Sequence, residues 1–142
     1  MMSFKRQLRW GIVLLLILGS LGYFWLKSSH DAIETIVCDD IVQGCTHGEL
    51  TVRAMTPPTT MQAFEVRISS SSAESVHASF DMVDMQMGMN RYRFQRQPDG
   101  SWRAMVTLPL CVSGRSDWVM LIDIKHSSQA LPAHYQLTLT SQ

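Results

Sequence analysis

The chain has 142 residues, with twelve Lys or Arg balanced by twelve Asp or Glu, so it carries no formal net charge at pH 7. That length leaves room for one domain and an appendage. Zero net charge excludes the basic domain that nucleic acid requires, and the 46% hydrophobic content is inflated by a single N-terminal stretch.

Lys5, Arg6 and Arg9 precede an uncharged run from Trp10 to Leu26, which Lys27 closes. Its 17 residues are at the short end of what spans a bilayer as a helix. Trp10, Tyr23, Phe24 and Trp25 lie near the two ends of the run, where amphipathic rings favour the headgroup region. Three basic residues stand before the run and one after it, followed by Asp31, Glu34, Asp39 and Asp40. The positive-inside bias then keeps the N-terminus cytoplasmic and sends the rest of the chain outside. Bulky Tyr23-Phe24-Trp25-Leu26 offers no small-x-small cleavage site, so residues 1–27 read as a cytoplasmic tip and an uncleaved transmembrane signal anchor.

Residues 28–46 are polar and acidic with no sustained period, and read as a linker to a domain at 47–142. Cys38, Cys45 and Cys111 fall on the outer side, where disulfides persist. Cys38–Cys45 would close a short loop, worth about 2.5 kcal/mol by chain entropy. Cys38–Cys111 or Cys45–Cys111 would instead pin the N-terminal segment to the domain. The spacing Cys45-x-His47 also admits a metal pair.

Short alternating runs separated by turn chemistry then follow, the pattern of an all-β domain. Apolar positions recur at Leu50 and Val52; Phe64, Val66 and Ile68; Val76, Ala78, Phe80 and Met82; and Tyr92 and Phe94. They recur again at Trp102, Ala104, Val106 and Leu108; Trp118, Met120, Ile122 and Ile124; and Tyr135, Leu137 and Leu139. Thr56-Pro57-Pro58-Thr59 breaks the series and Gln97-Pro98-Asp99-Gly100 predicts a hairpin turn. Seven antiparallel strands with one polar face each fit an immunoglobulin-like sandwich, preceded by one N-terminal transmembrane helix.

Phe80-Asp-Met-Val-Asp-Met-Gln-Met-Gly-Met-Asn90 departs furthest from average composition. Side chains alternate faces along a strand, so Met85, Met87 and Met89 project together, in step with Arg91 and Arg93 rather than Tyr92 and Phe94. Met82 instead shares parity with Phe80 and Val76 and reads as core. Thioethers are soft ligands suited to Cu(I), and Met-x-Met-x-Met supplies three from one short segment. The competing reading places a bulge at Gly88 and returns the methionines to the interior as adaptable filler. A partner-binding apolar surface is a third.

His77 and His134 fall on outward strand faces, and His30 and His126 in linker or loop, so these histidines read as solvated. Arg91, Arg93, Arg96 and Arg103 suggest a basic ladder around the Pro98-Asp99-Gly100 hairpin. No Gly-x-Ser-x-Gly, His-Glu-x-x-His or glycine-rich phosphate loop is present, and the reading is of a protein that is not an enzyme.

The chain resembles small membrane-anchored periplasmic proteins of bacteria, of the YtkA-like and FixH-like kind. The resemblance lies in Phe80-x-Met82-x-x-Met85-x-Met87-Gly88-Met89-Asn90, then Gly100-x-Trp102, then Leu108-Pro109-Leu110-Cys111-Val112-Ser113-Gly114-Arg115-x-Asp117-Trp118. It implies an immunoglobulin-type sandwich in the periplasm, held by residues 10–26 in the inner membrane. It also implies a role in copper handling or cytochrome oxidase assembly, with Met85, Met87 and Met89 as Cu(I) ligands; on the reading of the residues, Met82 would back them from the core as a weaker one. The partner would be a respiratory oxidase or a copper protein. This chain departs from the pattern in lacking a histidine beside the methionines and in carrying Cys111 at the Leu-Pro step. The alternative expectation is a metal-free interaction subunit that docks on a membrane complex.

Overall fold

The computed structural model describes residues 4–28, 32–85, 88, 90–110, 114–129 and 131–142, and within the first of these the side chains of 10–23. Phe4–Ser28 forms one helix of 25 residues, α1. The described side chains along it are exposed and almost all apolar, Leu15 at 72% and Leu16 at 68% among them. Among the described residues, no helix is long and apolar enough to cross a membrane. The described side chains stop at Tyr23, short of Leu26 where the uncharged run ends.

From Ile33 to Gln142 the chain forms a second unit, with about half of its residues in strands and none of the described ones in a helix. In chain order its strands are β1 (Ile33–Thr35), β2 (Cys45–His47), β3 (Leu50–Ala54), β4 (Ala63–Ser69) and β5 (Ala73–Met82). They continue with β6 (Arg91–Arg93), β7 (Gln95–Arg96), β8 (Trp102–Thr107), β9 (Asp117–His126) and β10 (Ala133–Thr140). One five-stranded sheet runs β1-β10-β9-β5-β6 and the other β2-β3-β4-β8-β7.

Six of the seven expected strands form whole, because alternation gives each a face to bury, and the one expected at Tyr92 and Phe94 is split between two sheets. β5 buries Val76, Ala78, Phe80 and Met82, and β9 buries Trp118, Met120, Ile122 and Ile124. Across from them β4 contributes Phe64, Val66 and Ile68, and β8 contributes Trp102, Ala104 and Val106. These side chains make one continuous core between the sheets. Burying a Val, Ile, Leu or Phe is worth roughly 1.5–3 kcal/mol, so this shared interior dominates the stability.

β6 and β7 are nearly one strand that changes sheets. Phe94 sits between them, 2% exposed, and donates its N–H to the Val76 carbonyl at 3.0 Å. A second tie crosses nearby. The Tyr92 hydroxyl donates to the Thr107 carbonyl at 2.9 Å and accepts the Thr107 N–H at 3.1 Å.

The stretch read as linker differs from expectation. It holds β1 and most of β2, and it places Ile36 at 2% and Ile41 at 5% exposure in the core. β1 pairs in parallel with β10, with Ile33 opposite His134. Of the cysteine pairings left open, Cys38–Cys45 forms, with Cα atoms 5.2 Å apart. That bond removes the Cys45-x-His47 metal pair, because a disulfide sulfur is no longer a thiolate ligand.

Candidate functional site

The methionine stretch lies at one end of the sandwich, where β5 turns back toward β6. β5 ends at Met82, which is 3% exposed and packed in the core, in step with Phe80 as its parity requires. The chain then reverses at once. Met85 donates its N–H to the Met82 carbonyl at 3.1 Å, and Asp84 takes a left-handed conformation with φ 65°. Asp tolerates that region better than most side chains do. Gly88 is also left-handed at φ 72°, where a Cβ would be strained. Pairing resumes when Phe80 N–H reaches the Asn90 carbonyl at 3.0 Å and Ser79 stands opposite Arg91.

The stretch is therefore a hairpin loop and not a continuous strand. A period of two cannot be carried through a turn, so counting from Met82 or back from Tyr92 does not set the direction of Met85. The loop places Met85 outward all the same, at 46% exposure. Met87 and Met89 lie outside the described residues, and so does Cys111.

A second loop is fastened to this hairpin. Arg115 Nη1 lies 3.8 Å from Asp84 Oδ2, while its Nε donates to Asp117 Oδ1 at 2.9 Å. Hydrogen bonding to Arg115 holds the Asp117 carboxyl below the usual carboxylate range. Val83 N–H also reaches the Asp117 carbonyl, at 3.4 Å. The Met85 thioether thus stands on a loop that touches the segment following Gly114 through two long contacts.

Thioether exposure also occurs away from this loop. Met55 is 43% exposed, Met61 68% and Met105 56%, and Met55 and Met105 lie beside Glu65 on the other sheet. Among the described residues, no three or more His, Cys, Asp or Glu side chains are grouped to hold a metal ion. A site at the hairpin would rest on sulfur ligands.

His77 and His134 take the outward positions expected of them, but they do not stand apart. In register, His134, Asp123, His77 and Arg93 follow one another across β10, β9, β5 and β6. Asp123 Oδ1 is 2.7 Å from His134 Nδ1, and Asp123 Oδ2 accepts from Arg91 at 2.8 Å. His126 is the last residue of β9 rather than a loop residue, and its Nδ1 lies 2.8 Å from Ser72 Oγ. His47 lies 3.0 Å from Glu34. His30 lies outside the described residues.

His47, Glu34, Glu49, His126 and Tyr135 line one groove of about 340 Å³ at the opposite end of β5 from the methionine hairpin. Burial, with a smaller contribution from Glu34, raises the Tyr135 phenol above its ordinary pKa.

The expected arginine ladder divides between the sheets, because the sheet change at Phe94 parts Arg91 and Arg93 from Arg96 and Arg103. Comparison with protein-family models, with curated proteins and with solved structures finds no match.

Proposed function

We propose that this chain is a membrane-anchored, non-enzymatic periplasmic module that assists copper handling or cytochrome oxidase assembly, with Cu(I) held at the β5–β6 hairpin. Met85, Met87 and Met89 are the proposed ligands. Met82 is assigned to the core.

The observation that carries this reading is the contrast across one turn. Met82 is 3% exposed, while Met85, three residues on, is 46% exposed on a loop whose Asp84 lies 3.8 Å from Arg115. An exposed thioether gains nothing from packing, and in an oxidising compartment it is the soft ligand that survives.

The immunoglobulin-like reading draws support from strand order. The run β3-β4-β8-β7 facing β10-β9-β5-β6 corresponds to A-B-E-D facing G-F-C-C′. The anchor reading draws support from the 25 residues of α1, about 37 Å at helical rise, which contain the whole uncharged run. Its described side chains, exposed and almost all apolar, suit hydrocarbon.

The test is a Cu(I) titration of the full chain in neutral detergent against a chromophoric chelator. The wild type is compared with Met85, Met87 and Met89 changed together to leucine, which keeps similar volume. The wild type is expected to withdraw one Cu(I) that the triple variant leaves behind. Equal retention removes the copper reading.

A second reading, a metal-free subunit that docks on a partner, is favoured by the outer face of β3, β4 and β8, where arginines and exposed methionines gather.

A further inference from the structure

Across the middle of one sheet, Arg53 on β3 stands directly opposite Arg67 on β4, and Arg67 directly opposite Arg103 on β8. Neighbouring strands are about 4.8 Å apart, so three guanidinium stems rise from one face within roughly 10 Å. Like charges placed directly opposite one another destabilise a sheet. The compensation is partial. Glu65, one row along, accepts from Arg67 at 2.6 Å and lies 3.6 Å from Arg103. Arg53 Nε donates instead to a neutral group, the Val42 carbonyl, at 2.8 Å. Asp99 acts on Arg67 only as a minor electrostatic neighbour.

Protection of sheet edges does not account for this row. The edges of the sheet are β2 and β7, while the arginines sit on the three strands between them. Exposed charge guards against aggregation where unpaired backbone needs guarding, which is at an edge.

The neighbouring row adds a second observation. Met105 stands opposite Glu65, and Met55 donates its N–H to the Glu65 carbonyl at 2.9 Å, so two exposed methionines bracket that carboxylate. Arginine and methionine are both enriched in protein interfaces relative to ordinary solvated surface. A small inorganic anion would make no use of the methionines.

From the like-charge row and the methionines beside it, we infer that the outer face of β3-β4-β8 is a docking surface for an acidic segment of a partner protein, with Arg53, held only by a neutral carbonyl, and Arg103, in a long ion pair with Glu65, as its cations and Arg67 fixed by Glu65. Electrostatic complementarity of this kind governs encounter rate and choice of partner. The surface is separate from the methionine hairpin, and copper binding there neither supports nor refutes it.

The test uses the full chain in neutral detergent and a fluorescein-labelled octaglutamate peptide read by anisotropy. The wild type is expected to bind the peptide, less tightly as salt is raised. The Arg53→Gln/Arg103→Gln double variant is expected to lose at least tenfold in affinity, and an Arg91→Gln/Arg93→Gln control on the other sheet to stay within twofold. Without peptide, the first double variant should melt close to wild type, since relief of like-charge repulsion offsets the lost Arg53–Val42 hydrogen bond and Arg103–Glu65 ion pair. A markedly lower melting temperature would mark the arginines as structural and overturn the inference. So would absence of binding, equal loss in both double variants, or displacement of the peptide by inorganic phosphate or short-chain phosphatidylglycerol at comparable concentration.

Discussion

Tyr92 and Thr107 are joined by two hydrogen bonds through a single hydroxyl, which donates to one backbone group of Thr107 and accepts from the other. β7 covers only Trp102 and Arg103 of β8, so at Thr107 the side chain of a residue in the opposite sheet replaces a missing strand. Tyr92→Phe keeps the edge-to-face contact with Phe80, whose ring centroid is 5.9 Å away, and removes only the hydroxyl. The expected cost is about 1–3 kcal/mol, because two part-buried backbone groups lose their partner. Urea denaturation of the variant checks it. An unchanged midpoint would mean that water satisfies both groups.

The disulfide should contribute measurably despite its short loop. Replacing Cys38 and Cys45 by alanine is expected to lower stability by about 2.5 kcal/mol, a melting shift of roughly 10 °C for a unit of this size. Alkylation of the unreduced protein followed by mass spectrometry should modify Cys111 alone.

Met82 and Met85 should separate cleanly. Met82→Ala empties a core position and is expected to cost about 2–5 kcal/mol, whereas Met82→Leu should cost under about 1.5 kcal/mol. Neither should change Cu(I) retention. Met85→Leu should reduce retention and leave the melting temperature near that of wild type.

Acid should act through Asp117. Its pKa is lowered in the folded state, chiefly by the hydrogen bond from Arg115. A depressed carboxyl pKa contributes stability that is fully present above the unfolded value near 4. That contribution is lost as pH falls through the folded value. Asp117→Asn should therefore flatten the decline in melting temperature below about pH 4 and leave neutral behaviour little changed. The pair lies at the surface, with Asp117 half-buried, so the effect should be small and should shrink further in salt.

What could be read from the sequence was the periodic part. Runs such as Val76 to Met82 and Trp118 to Ile124 declare a buried face by alternation alone, and both became long central strands. β1, β2 and β7, of three, three and two residues, are too short to carry a period. Their pairing depends on neighbours distant in sequence, so Ile36 and Ile41 could not be recognised as core. The same limit hid the candidate surfaces. Which residues flank Asp123, or that Arg53, Arg67 and Arg103 share a row, follows from strand register, which one strand's pattern does not contain. The methionine loop was half legible: its composition marked it out, but the turn at Asp84 did not.

The parallel pairing of β1 with β10 has a consequence for biosynthesis. Ile33 and His134 meet side by side although roughly a hundred residues separate them. Synthesis delivers the earlier strand long before its mate, and non-local closure of this kind is slow. Throughout that interval β1 has an unsatisfied backbone, a state prone to mispairing. A newly made chain can therefore seal this seam only after β10 has been made, whatever order the inner strands follow.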